Sequence, residues 1–198
     1  MRFTIIFILT LLILPGVALR AENAVSPRVA ALQAKAEQGD AKAQNNLGLL
    51  YMRGTAVALD YNQAAGWYRK AADQGNEEAQ NNLGTLYLNG QGVPKSIDNA
   101  VSWFRKAAEQ GEEVAQYNLA QLLLGGQGVS SNEEEAYYWL ILSSRSGKPR
   151  HVALRDKIAA SLRPERAAAI QDKAKIEAQA PAQTPVEKDH VAPAAAAK

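Results

Sequence analysis

The sequence predicts an all-α protein made of stacked helical hairpins, and two observations carry that expectation. Glycines stand at 39, 75, 111 and 147, each 36 residues after the last. The same interval links Ala43, Ala79 and Ala115; Leu47, Leu83 and Leu119; Gly54, Gly90 and Gly126; Val57, Val93 and Val129; Ala64, Ala100 and Ala136; and Trp67, Trp103 and Trp139. A shared period over so many residue types marks a solenoid in which each copy buries its apolar face on the next. Second, each interval holds two stretches of helical periodicity separated by a glycine-rich turn. The composition agrees: hydrophobic residues make up 47% of the chain, and the abundance of alanine among them suits closely packed helices.

Each element can be justified in order. The first helix of copy one is predicted over 41–52, with Leu47 and Tyr51 on one face and the small Ala43 and Gly48 allowing close approach. A mid-helix glycine costs about 1 kcal/mol against alanine, so Gly48 and Gly84 read as places where no side chain fits. Ala120 fills that slot in copy three. The turn Asn89-Gly90-Gln91-Gly92-Val93-Pro94 then stops the helix. Ala56 stands where Gly92 and Gly128 stand, so an altered turn is expected in copy one, and the three valines are expected to plug the end between the helices.

The second helix starts at aligned caps, Asp60, Ser96 and Asn132, and Gln63 and Glu135 approximate a capping box. Its buried stripe is predicted as Ala64, Trp67, Tyr68 and Ala71, repeated as Ala100, Trp103, Phe104 and Ala107. Gly75, Gly111 and Gly147 end it.

The ends of the chain depart from the period. Arg2, an apolar run from Phe3 to Leu14, Pro15-Gly16 and small residues up to Ala21 have the layout of a secretory signal peptide over 1–21. Cleavage after Ala18 or after Ala21 fits equally, and the apolar run is too short for an ordinary spanning helix. The mature protein is therefore expected in the periplasm or outside the cell. A half-unit (28–42) with a lone helix over 29–38 precedes the repeats at 43–78, 79–114 and 115–147. A divergent helical cap follows over 148–178, with helices predicted at 150–162 and from Pro164 to about 178. The Ala/Pro-rich stretch 179–198 has no periodicity and is expected to be disordered.

Copy two resembles the Sel1-like repeat, a relative of the tetratricopeptide repeat. The residues that carry the resemblance are Ala79, Leu83-Gly84, Tyr87, Gly90, Gly92-Val93, Trp103-Phe104, Lys106-Ala107-Ala108 and Gly111. Copy one departs mainly at Ala56. Copy three is looser, with Ala120, Leu123, Leu140 and Leu142 in place of glycine, tyrosine, an aromatic and lysine. The resemblance covers about residues 28–147 and implies a right-handed α-α superhelix, an α-solenoid whose first helices line a concave surface. It also implies an adaptor or scaffold role.

The chemistry available is narrow. Cysteine is absent, so disulfides and thiolate sites are excluded. The two histidines, His151 and His190, lie far apart in sequence and neither reads as catalytic or metal-binding. Ser143, Ser144 and Ser146 replace the alanines at the end of a second helix and read as packing or surface residues. Glu133, Glu134 and Glu135 sit at a helix N-terminus, where the dipole favours them. Gly90-Gln91-Gly92 has no following Lys-Ser or Lys-Thr for phosphates. With a net charge of +2, the chain lacks the basic field that nucleic acid requires. The eight basic and four acidic residues between Lys148 and Glu177 leave contact with an anionic membrane surface open. No cofactor is expected, and the chain is not expected to be an enzyme.

By similarity to the tetratricopeptide arrangement, the concave face comprises Asn45, Leu49, Met52 and Arg53; Asn81, Thr85, Leu88 and Asn89; and Tyr117, Gln121 and Leu124. Apolar Met52, Leu88 and Leu124 interspersed with amides suit an extended or helical peptide, although packing between copies would account for them equally. Tyr117 is the preferred anchor. Asn46, Asn82 and Asn118 are expected to bond the backbone between helices. The function implied is a non-catalytic adaptor in the bacterial cell envelope that binds another envelope protein or peptide. The alternative is a peptidoglycan-associated protein or a relative of cell-wall hydrolases.

Overall fold

The computed structural model describes residues 26–126 and 132–179. Among them the order is α1 (Pro27–Glu37), α2 (Ala41–Arg53), α3 (Tyr61–Asp73), α4 (Glu77–Asn89), α5 (Ile97–Glu109), α6 (Glu113–Gly125), α7 (Glu133–Ser143), α8 (Pro149–Ser161) and α9 (Pro164–Gln179). A short 3-10 turn, Ser144–Ser146, links α7 to α8. The hairpins are α2–α3, α4–α5 and α6–α7, and they stack through α3 on α4 and α5 on α6. Helix α1 packs on α2 at one end, and α7 carries α8 and α9 at the other. The expected signal segment, Val129 and the Ala/Pro-rich stretch from 180 onward lie outside the described residues.

Local chemistry explains the boundaries. Asp60, Ser96 and Asn132 each accept a hydrogen bond from the backbone three residues on, as the capping pattern predicts. The first helices are capped too, by Asp40, Asn76 and Glu112. Helix α1 starts two residues earlier than expected, because Ser26 caps it and Pro27 takes the first helical position. Each first helix ends on a left-handed glycine, Gly54, Gly90 or Gly126. Ala56 does not alter its turn in the way its side chain suggests. It adopts φ +64°, close to the +67° of Gly92, and accepts the strain.

The core is a run of identical contacts. Tyr68, Phe104 and Leu140 are fully buried at equivalent positions, as are Ala64, Ala100 and Ala136. A Cβ on Gly48 would lie 2.8 Å from the Tyr68 ring, and one on Gly84 would lie 2.8 Å from Phe104. These glycines are therefore the contact surface of the hairpin. One expectation is corrected: Trp67 and Trp103 are half-buried, unlike Trp139. Lys70 and Lys106 lie 4.0 and 4.2 Å from the centres of their rings, covering the outer faces by cation–π contact.

Candidate functional site

The period that builds the stack also lines up side chains across it. Along each first helix, positions i, i+4, i+7 and i+8 share a face, and the 36-residue interval repeats that face on α2, α4 and α6. The rows are Leu49, Thr85 and Gln121; Met52, Leu88 and Leu124; and Arg53 beside Asn89. Arg53, Asn89 and Gln121 are exposed, and the other five are half-buried. Met52, Leu88 and Leu124 rest on the core with part of their surface outward. Met52 also accepts, through Sδ, a hydrogen bond from the Tyr68 hydroxyl at 3.6 Å. Burial raises the pKa of that phenol, with Arg53 opposing, so it stays a protonated donor.

The amides on the same helices are placed differently from expectation. Asn45 is buried at 3% exposure, donates to Glu78 Oε2 at 2.9 Å and accepts from Asn82 Nδ2 at 3.1 Å. Asn118 Nδ2 donates to Asn81 Oδ1 at 3.0 Å. Asn82 and Asn118 thus bond side chains of the preceding first helix, where backbone partners were expected. The reason is register: equivalent helices lie side by side, so an amide meets an amide one position back. Asn45 and Asn81 serve this ladder, and Asn81 keeps part of its surface open.

A second ladder is not apparent from the sequence alone. Buried Gln44, Gln80 and Gln116 donate to the carbonyls of Ala36, Ala72 and Ala108, which close the preceding second helices. Gln44 and Gln80 accept in turn from Gln74 and Gln110 at 2.7 Å. These residues carry the 36-residue interval, so the signal was present; their polarity disguised it as surface.

Tyr117 stands in the slot of Asn45 and Asn81 and ends the asparagine ladder. Its ring stacks on His151 of α8, with centroids 4.2 Å apart and planes 7° apart. The Arg150 guanidinium lies 5.1 Å from its centroid. The anchor expected from sequence is therefore committed to the cap, which covers one ring face, and half-buried. Glu113, at the start of α6, ties the same joint. It accepts from Ser146 at 2.7 Å and Lys148 at 3.0 Å, and its Oε1 is 3.3 Å from His151 Nδ1. Burial pushes its carboxyl up, but bonds from Ser146 and Lys148 and the charges of Lys148 and His151 bring it below the ordinary value.

His151 is fully buried, with Nδ1 2.9 Å from the Ser143 carbonyl and Nε2 without a partner among the described residues. Nδ1 faces two acceptors and so carries a proton. His151 is closed under Tyr117, and with Glu113 it pins the start of α8 to the start of α6. Ser143 and Ser144 bond the carbonyls of Leu140 and Ile141, in keeping with packing roles. Among the described residues no three His, Cys, Asp or Glu side chains form a group able to hold a metal ion. Nor is any described helix long and apolar enough to cross a membrane.

Comparison with known proteins agrees with this architecture. The Sel1 repeat family model matches residues 41–76, 77–112 and 114–148. That phasing starts about two residues before the copies read from the sequence. The crystal structure of a Sel1 repeat protein from Oxalobacter formigenes is 32% identical, covers 76% of this chain and 66% of its own, and gives a TM-score of 0.62. A protective antigen present in uropathogenic Escherichia coli strains, displaying an SLR fold, is 34% identical with a TM-score of 0.65. That match covers 75% of this chain and 33% of the antigen. The chain thus spans about two thirds and one third of the lengths of these two proteins. No curated protein matches it.

Proposed function

Since the chain belongs to the Sel1 repeat family, whose members generally act as non-catalytic scaffolds that bind other proteins, we propose that it is an envelope adaptor holding a peptide segment of another protein. The segment lies across the first helices α2, α4 and α6. One observation carries this reading: apolar Met52, Leu88 and Leu124 run beside exposed Arg53, Asn89 and Gln121 over three parallel, equivalent helices. Apolar half-pockets supply affinity, and the flanking amides and guanidinium pair with the backbone and carboxylates of the segment. Tyr117 contributes at most the part of its ring that His151 leaves open. The apolar start of the chain delivers it to the envelope, with cleavage after Ala18 or Ala21.

Photo-crosslinking in the native cell tests this. A crosslinking residue at 53, 89 or 121 should capture one and the same envelope protein, and a crosslinker at exposed Ser102 on α5 should not. Equal capture from Ser102, or none from the three first-helix positions, would sink the reading. Mass measurement of the purified protein checks the cleavage: a chain that still carries residues 1–18 contradicts export by that route.

A further inference from the structure

The stack has an unfinished end. A cavity of about 740 Å³ opens between α1 and α2, lined among others by Arg28, Leu32 and Lys35 on α1 and Asn46, Leu49 and Leu50 on α2. One period further along the chain, the same slots lie inside the molecule. Leu32 holds the slot of Tyr68 and Phe104, which are fully buried beneath Gly48 and Gly84 of a first helix. No such helix covers Leu32 among the described residues, and it stays half-exposed. Leu50 holds the slot of fully buried Leu86 and is likewise half-exposed.

The polar residues around this floor change in a directed way. Arg28 and Lys35 occupy the slots of Ala64 and Ala71, and of Ala100 and Ala107, all fully buried against first helices. At the open end two cations therefore replace two alanines, seven residues apart on one face of α1, about 10 Å. Asn46 occupies the slot of Asn82 and Asn118, whose amides donate to the preceding first helix. Asn46 is exposed and makes no side-chain hydrogen bond among the described residues. The end thus presents an apolar floor shaped by the fold for a helix, an amide donor on one wall and two positive charges on the other.

We propose that this cavity docks one acidic amphipathic helix of a partner protein, seated where the first helix of a preceding repeat would sit. Such a helix places a small residue over Leu32 and a carboxylate about one turn to each side, for Arg28 and Lys35. Charge selects this occupant over a second copy. A two-fold pairing of like ends would set Arg28 and Lys35 against themselves. The opposite end of the stack carries eight basic and four acidic residues between Lys148 and Glu177. The inference does not depend on the groove across α2, α4 and α6; either can fail alone.

The probe is a stapled helical peptide with the sequence of residues 76–90 carrying Asn81→Glu and Leu88→Glu, which flank Gly84 by one turn. Stapling is needed because a helix of this length is marginal in water. Protein purified from its native cells should bind it saturably in fluorescence anisotropy. Arg28→Glu with Lys35→Glu should weaken binding at least tenfold, and a peptide with lysine at both sites should regain most of the loss on that variant. Leu32→Asp, checked by an unchanged circular-dichroism melt, should abolish binding. Absence of saturable binding, or equal affinity for glutamate and lysine peptides, overturns the proposal. So does self-association removed by the Arg28/Lys35 reversal. The proposal also falls if the reversal abolishes adsorption to phosphatidylglycerol–phosphatidylcholine vesicles while peptide binding is absent; the cations then serve a lipid surface.

Discussion

Gly84 and Phe104 are a pair whose fit rests on one missing methyl. A Cβ at 84 would stand 2.8 Å from Phe104 Cδ1 and 3.3 Å from the Ala100 carbonyl, against a fully buried ring. Gly84→Ala should therefore destabilise by about 1–3 kcal/mol despite its better helix propensity. Copy three already holds the complementary solution, Ala120 with Leu140 in the equivalent slots, both fully buried. Gly84→Ala combined with Phe104→Leu should recover most of the loss, and denaturant melts of the four proteins give the coupling directly. Glu112 is a second residue-scale case. It caps α6 by accepting from Val114 and Ala115, in a slot held by Asp40 and Asn76 in the other copies. Burial raises its carboxyl above the ordinary value, with the backbone bonds opposing. A raised acid stabilises the fold below its ordinary pKa and loses that contribution as pH rises through the folded value. Glu112→Asn, a better cap, should gain up to about 1 kcal/mol at neutral pH and less in acid, as thermal melts at both pH values would show.

At the scale of the element, α8 is the part of the fold that sequence periodicity could not place. The i, i+4 stripe of Leu154, Ile158 and Leu162, following Pro149, places the helix within one residue of its ends. What they could not give is its seat, because α8 lies outside the 36-residue interval and no register relates it to α6. Tyr117 consequently read as an open aromatic, when it is the platform on which His151 stacks. Tyr117→Ala should cost about 1–3 kcal/mol and raise hydrogen exchange across 149–161 while leaving α2–α4 unchanged. Glu113 gives the joint its pH dependence. Its carboxyl is depressed, so its contribution is complete above the ordinary value of 4.5 and fades as pH falls through the lower folded value. Acid should loosen α8, and Glu113→Gln should leave less of that acid-dependent loosening to see, measured as exchange over 149–161 between neutral and acid pH. The face of the first helices shows the same division. The rows of Met52, Leu88 and Leu124 were legible because they obey the period. The loss of Asn45 to the interior was not, since it depends on how closely α2 and α4 approach.

Taken as a whole, the molecule is a chain of nearest neighbours. Its stability should behave as a sum of hairpins and the interfaces between them. Among the described residues helix α1 rests chiefly on α2, whereas α4 and α5 are held from both sides. Hydrogen exchange should accordingly run slowest in α4 and α5 and fastest in α1; uniform protection through the stack would contradict this. The solenoid itself was plain in the sequence, because every aligned glycine, alanine and aromatic has a packing or turn duty that repeats. The glutamine ladder was missed because burial of a polar side chain becomes visible only once its carbonyl partner is placed.

The asparagine ladder also gives the stack a grammar of growth. Helices α4 and α6 each reach back to the first helix before them through an amide, and Tyr117 offers no amide oxygen for a later helix to reach. An added copy of residues 77–112 inserted after 112 would find a donor waiting on one side and an acceptor on the other, and would add one more row to the face of the first helices. The same copy appended after 147 would meet a full stop. Duplication from within is thus the open route for this architecture to change its reach.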